Sequence, residues 1–304
     1  MSQGTSIQIQ AVLFQNDLAE LQRALEAVEA AAKAAKQENI QVSLRWGDAS
    51  PEKMFTESVW NRIREDYPAL SDMEYRWFGE NTGYGKGNNL LAQGAKTDYL
   101  LIMNPEILLC PHAIIDLLAP LSDPQVGLVE ARQIPVEHPK AFDLETKETE
   151  WASGACFLIP TSFFQVLNGF DTEIFFMYCE DVDLSWRVRM AGKKLYYQTL
   201  AGVYHARRLS GAAKHQAAAT EAQYSLISEA LLAYKWGYEA YAKERIQMAV
   251  DRGDPGSKEA AEEFQRRAQQ GTLPAIMDEE HRIAHITQEK KTGTLYFTQH
   301  RYGL

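Results

Sequence analysis

The sequence lacks any apolar run near the roughly 20 residues needed to cross a bilayer. Its N-terminus has no basic stretch followed by an apolar core. Both absences predict a soluble, cytoplasmic protein. Cysteine is scarce: the three, Cys110, Cys156 and Cys179, form no Cys-x-x-Cys pair and each sits in an apolar stretch. That excludes a disulfide framework and predicts buried thiols in a reducing compartment. Basic charge is in deficit as well. Lys and Arg number 31 against 41 Asp and Glu, a formal net charge of -10 at pH 7. Nonspecific nucleic-acid affinity comes from clustered Lys and Arg, so a nucleic-acid role is not expected. An anionic small substrate would need its charge offset locally, by a cation or a few placed basic groups.

What is present is the material of an ordinary globular fold. Of 304 residues, 45% are hydrophobic and 24% charged, enough to bury a sizeable core and to exclude disordered and fibrous classes. Residues 7–14 alternate apolar and polar, and Asn16 and Asp17 then open an Ala- and Leu-rich stretch of helical spacing. The pattern repeats with a strand at 40–46 and a helix after Pro51. It recurs with a strand at 74–78 and a helix after Gly83, and with a strand at 99–103 and a helix from about Pro111. This alternation predicts an α/β fold, a mostly parallel central sheet with helices on both faces. Past Val126 the rhythm changes, with strands near 126–130 and 152–159 around a polar loop at 137–148. After His205 the chain turns Ala-rich and helical to about Gln270, which places a boundary near Gly211, with the helical segment expected to pack onto the first unit. In open sheets of this type ligands bind beyond the carboxyl ends of the strands, so the polar residues after each strand are expected to converge on one crevice.

Several constellations carry possible chemistry. The glycine-rich turn at 81–89, with Asn81, Gly83, Lys86 and Asn89, suits the approach of backbone amides to a diphosphate. It equally suits a plain strand-to-helix turn with Asn caps. It lacks the Gly-Lys-Ser/Thr ending of a phosphate loop and the spacing of a dinucleotide fingerprint, which disfavours a nicotinamide-dependent oxidoreductase. Asn104-Pro105-Glu106 follows an apolar strand, so Glu106 stands where a hard cation could use its carboxylate, or where the dipole of the next helix favours it. In residues 175–187 an aromatic run enters Glu180, Asp181 and Asp183. Carboxylates crowded there suit a general base; the alternative is a helix-capping cluster paired with Arg187 and Arg189, Asp183 and Arg187 having the i, i+4 spacing. His205, leaving a strand beside Arg207 and Arg208, is a candidate metal ligand or an ordinary buried histidine. Trp151 could stack on a sugar face or fill core.

In this order the motifs resemble those of family 2 glycosyltransferases with a GT-A fold, in particular the bacterial rhamnosyltransferase-like branch. The resemblance covers roughly residues 7–210: the 81–89 turn, Asn104-Pro105-Glu106, residues 151–155, Gly169-Phe170-Asp171, Glu180-Asp181-Val182-Asp183 and His205. It implies a catalytic unit at 1–210, with a nucleotide-sugar half at about 1–107 and an acceptor half at about 108–210, and a helical extension at 211–304. It implies Asp181 as catalytic base beside Glu180, and Mn2+ or Mg2+ on Glu106 and His205. Phe14, Asn16, Asp48, Asn81, Gly83, Lys86, Asn89 and Asn104 would face the nucleotide sugar, and Trp151, Gly154 and Asp183 the acceptor. Glu106 stands where the family has Asp, and Gly47 where it has the base-binding Asp, which puts the role of Asp48 in doubt.

The implied chemistry is inverting transfer of a sugar from a nucleotide-diphosphate donor to a saccharide or lipid-linked saccharide. A metal-bound diphosphate leaves readily, so one base suffices where a glycoside hydrolase needs an acid as well. The two departures also leave a catalytically silent, sugar-nucleotide-binding or scaffold protein as the alternative. Aromatics interleaved with Lys at 234–243 suit packing against the catalytic unit or a second subunit, as in a homodimer, or peripheral contact with a membrane surface.

Overall fold

The computed structural model describes residues 4–135, 140–205, 217–288 and 295–296. The boundary near Gly211, Arg207, Arg208 and the first part of the 137–148 loop lie outside the described residues. The elements run β1 (Thr5–Leu13), α1 (Leu18–Gln37), β2 (Ile40–Asp48), α2 (Glu57–Asp66), β3 (Asp72–Trp77), α3 (Gly83–Ala92), β4 (Tyr99–Met103), β5 (Leu108–Leu109), α4 (Ala113–Leu118), β6 (Val126–Ile134), β7 (Glu148–Thr149), β8 (Cys156–Pro160), α5 (Thr161–Val166), α6 (Glu180–Met190) and β9 (Lys194–Tyr204). Three helices follow, α7 (Ala217–Lys235), α8 (Glu239–Arg252) and α9 (Pro255–Gln270).

The main sheet has the order β3-β2-β1-β4-β8-β6-β9-β5, with β7 beside β9. Strands β3, β2, β1 and β4 are mutually parallel, as expected of strands joined by helical crossovers. Beyond β4 the sheet is mixed: β8 is antiparallel to β4 and β6, while β6 and β9 are parallel. Asp17 caps α1 by accepting from Glu20 N at 3.0 Å. That helix buries Leu21, Ala24, Leu25, Val28, Ala31, Ala32 and Ala35, one stripe of helical spacing laid against the apolar side of the sheet. On β1 the alternation sends Ile7, Ile9, Ala11 and Leu13 to that side. The polar residues between them are buried too. Gln8 donates to Leu91 O and Gln10 to Asn88 O, both on α3, so the second face is covered by hydrogen-bonded amides.

Residues 81–89, expected as a turn, are for the most part helix α3. Gly83 has φ +66, and a Cβ there would lie 2.2 Å from Phe176 O. At Gly87 a Cβ would lie 2.6 Å from Val12 Cγ2. These glycines let α3 approach β1 and the segment before α6 closely.

The C-terminal helices pack on α6. Trp151, Phe175, Val182 and Trp186 share a buried cluster with Ile227, Leu231, Trp236, Ile246 and Phe264, and Trp186 meets Trp236 edge to face at 5.3 Å. The 234–243 stretch is not one helix: it ends α7, turns at Gly237 with φ +88 and begins α8. Trp236 is fully buried, and the partly buried Tyr234, Tyr238 and Tyr241 pack against the same cluster, so this stretch joins the C-terminal helices to α6. None of the described helices is long and apolar enough to cross a membrane. All three cysteines are free; Cys156 is buried, but Cys110, expected inside, is exposed, because it follows β5 at the outer edge of the sheet.

Candidate active site

Three structural devices bring the predicted residues to the ends of β1, β4, β8 and β9. The first is strand pairing. Met103 at the end of β4 pairs with Cys156 at the start of β8, and Asn104 N donates to Ala155 O at 2.9 Å. This sets Asn104 and Glu106 beside residues 153–155. The second is an irregularity in the β6–β9 ladder, where the partner of Ala131 is Gln198 but that of Arg132 is Gly202. Bulges of this kind re-aim the residues that follow; here β9 delivers His205 to Glu106. His205 Nε2 lies 3.1 Å from Glu106 Oε1, and Nδ1 lies 3.0 Å from Gln133 Oε1. The Gln133 contact at Nδ1 fixes the plane of the ring and leaves Nε2 directed at the Glu106 carboxylate.

The third device is the start of α6. Tyr178 and Cys179 both take left-handed φ, 70° and 64°, a conformation costly for side chains other than glycine's. The helix thus begins with Glu180 and Asp181 at its positive end. Asp181 Oδ2 accepts from Gly154 N at 2.7 Å and Oδ1 from its neighbour Val182 N at 2.8 Å. Burial raises its proton affinity, and the Gly154 and Val182 amides oppose that. Glu180 is buried, and its Oε2 has no hydrogen-bond partner among the described residues. Burial first, then the charges of Asp181 and Asp183, push its carboxyl up to about 8.

Asp183 was expected to face the acceptor, and the structure corrects this. It is fully buried and accepts from Arg187 Nε at 2.8 Å, Lys235 Nζ at 2.6 Å and Trp236 Nε1 at 3.1 Å. Its carboxylate ties α6 to α7. Asp48 is likewise fully buried, accepting from Ser50 N and Met54 N, both at 2.9 Å, and from the Tyr75 hydroxyl; it shapes the loop after β2 from beneath. Asn16 Oδ1 accepts from Phe14 N at 2.8 Å, leaving the Phe14 ring exposed at the end of β1. Gly83 N donates to Asn81 Oδ1 at 3.0 Å. Asn89 spends its amide on the Phe170 backbone, and Lys86 pairs with Glu80 at 2.6 Å near the surface. Trp151 is buried, with the Lys140 ammonium 4.3 Å from its ring centroid, so it fills core.

Two features had little sequence signal. Glu130 on β6 is buried, is paired with Lys140 and accepts from Ser153 N at 3.0 Å; burial raises its carboxyl, with Lys140 opposing. A charge inside an apolar strand was the available clue. Tyr84, on α3, donates to Gly154 O at 2.5 Å, and nothing in its sequence context marks it.

No protein-family model matches the chain. A rhamnosyltransferase of Escherichia coli is 25% identical over 152 residues, 38% of this chain and 57% of that protein. An N-acetylglucosaminyl-diphospho-decaprenol L-rhamnosyltransferase of Mycobacterium tuberculosis is 39% identical over 82 residues, 26% of each chain. The matches thus span about half and about a quarter of these relatives' lengths. In structure, a Pyrobaculum calidifontis mannosyltransferase solved with GDP-Man and Mn2+ aligns over 88% of this chain and 82% of its own, with TM-score 0.59 and 16% identity. GalNAc-T7 solved with UDP, GalNAc and Mn2+ aligns over 89% and 55%, with TM-score 0.64 and 16% identity. The chain therefore has the GT-A fold of nucleotide-sugar glycosyltransferases and, over part of its length, a sequence similar to rhamnosyltransferases.

Proposed function

We propose that the protein is an inverting glycosyltransferase that moves a sugar from a nucleotide-diphosphate donor to a hydroxyl of a saccharide or lipid-linked saccharide. The observation that carries this is the meeting of the two required functions at one end of the sheet. Asp181 is held by residue 154, just before β8, and the Glu106–His205 pair lies past the end of β4, to which β8 is paired. The partial sequence similarity to rhamnosyltransferases makes a deoxyhexose the first donor to try.

Asp181 acts as the base, taking the proton of the acceptor hydroxyl as its oxygen attacks the anomeric carbon from the face opposite the diphosphate. The bond to the diphosphate breaks as the new glycosidic bond forms, so configuration inverts without a covalent enzyme intermediate. Glu106 and His205 fit a divalent cation by donor chemistry: a carboxylate and an imidazole oriented by Gln133. Among the described residues no group of three or more His, Cys, Asp and Glu gathers, so such an ion would complete its shell with water and diphosphate oxygens, as Mn2+ and Mg2+ do. When bound, it supplies charge neutralisation on the leaving diphosphate. The ring of Phe14, exposed just past the end of β1, is the surface assigned to the nucleoside.

The test is Asp181→Asn assayed for both transfer and donor affinity. Transfer should fall by on the order of 10³-fold or more with donor affinity kept; near-normal turnover would remove Asp181 as the base. Release of nucleoside diphosphate by the native chain only when Mn2+ or Mg2+ is added excludes a silent binding fold.

A further inference from the structure

The Asp181 carboxylate is oriented by a glycine, the residue least able to hold its own direction. Around the Gly154 Cα two side chains converge: a Cβ built there would lie 3.2 Å from Asp181 Cβ, 3.3 Å from Asp181 Oδ2 and 3.3 Å from the Tyr84 hydroxyl oxygen. Gly154 N donates to Asp181 Oδ2 at 2.7 Å, and its carbonyl accepts from the Tyr84 hydroxyl at 2.5 Å. These bonds belong to the two peptide groups on either side of one Cα. Holding the carbonyl limits ψ at Gly154, which has no Cβ to limit it, and so narrows the motion of the Cα to which the N–H group is attached.

We propose that Tyr84 is a positioning residue for the base, acting through Gly154 to aim the amide that holds the Asp181 carboxylate. The assignment rests on the transferase function proposed above. Helix α3 makes it possible, because its glycines bring the tyrosine down onto residues 153–155, and the ring is wedged edge to face against Phe170 at 5.5 Å. Burial, and then the carboxylates of Glu180 and Asp181, hold the phenol far above its ordinary proton affinity, so it remains a donor throughout the working pH range. The other titratable groups facing Asp181 are Glu180 and Cys179 beside it, Glu130 on β6 and Lys140. Replacing Tyr84 by Phe leaves all of them in place.

The experiment compares the native chain with Tyr84→Phe. Removing one oxygen should lower kcat by about 10-fold, leave the donor KM within about twofold and move the acid limb of the kcat profile upward by about half a pH unit, since Asp181 loses a well-aimed donor that opposes protonation. A uniform loss with an unmoved profile, or no loss, overturns the assignment. A second measurement needs no turnover: the carboxylate carbons of 13C-labelled aspartates are titrated by NMR, with the Asp181 signal identified by its absence in Asp181→Asn. That titration should move upward in Tyr84→Phe. No sugar transfer by the native chain together with an upward-shifted titration in Tyr84→Phe would sink the transferase function and keep the positioning role. Normal transfer with neither kcat nor the titration changed would sink the positioning role alone.

Discussion

Lys235, at the end of α7, places its ammonium 2.6 Å from Oδ1 of Asp183, two residues beyond Asp181, the proposed base. The same ammonium lies 2.7 Å from Asp171 Oδ2. Higher on α7, Ser228 donates to Met177 O at 2.7 Å, just before the left-handed pair Tyr178 and Cys179. The C-terminal helices thus grip both sides of the turn that presents Glu180 and Asp181. Lys235→Met should destabilise the chain by about 3 kcal/mol, because a buried carboxylate loses one of its two cations while keeping Arg187. Urea unfolding measures this; a change below about 0.5 kcal/mol would show that Arg187 alone satisfies Asp183.

Glu180 makes stability depend on pH. Its ordinary value is 4.5 and the folded protein holds it near 8, so between these the native state keeps a proton that the unfolded chain releases. The sign follows: stability declines as pH rises above about 4.5, and the loss is complete above about 8. Glu180→Gln should match the native chain at pH 4.5 and exceed it by about 2–4 kcal/mol at pH 9, measured by denaturant unfolding at both pH values. Equal stability at pH 9 would mean that Glu180 is ionised and paired.

The Glu106–His205 pair predicts a coupling between metal and diphosphate. In the native chain, Mn2+ and a nucleoside diphosphate added together should raise the melting temperature more than the sum of each alone. Glu106→Gln and His205→Ala should each weaken this joint effect by about 10-fold or more in apparent affinity. A joint effect unchanged in both variants would move the cation elsewhere.

Gly83 separates the packing role of α3 from a phosphate-binding one. Gly83→Ala puts a Cβ 2.2 Å from Phe176 O at φ +66, which should cost about 3 kcal/mol or more of stability. Calorimetry of the purified variant reads this directly; an unchanged melting temperature would indicate a backbone that relaxes freely.

Much of the frame was legible because its signals are local. Asp17 ahead of an Ala-rich repeat marks α1, and the apolar run at 99–103 bounded by Asn104-Pro105 is β4 to the residue. Phe176 to Asp183 reads as an aromatic stretch entering an acidic helix start, and α6 begins at Glu180. The polar half of β1 was less transparent: the alternation marks Gln8 and Gln10 as polar, and only the fold shows that α3 buries both and bonds their amides. The glycines at 83, 85 and 87 suit a diphosphate-facing turn or a plain strand-to-helix turn equally, and they are helix in close contact with its neighbours.

The sequence alone determined the alternation of strands and helices through β4 and α4 and the acidic turn that opens α6. Periodicity, caps and breakers act over a few residues, and those are written in the chain. Only the tertiary structure decided which partners each carboxylate has. Glu106 and His205 stand 99 residues apart and meet because β9 shifts register. Asp181 and Asp183 sit two residues apart on one helix; the first meets the Gly154 amide, while Lys235 at the end of α7 and the adjoining Trp236 cover the second. A carboxylate's role follows from what desolvates and pairs it, and those partners arrive from distant parts of the chain.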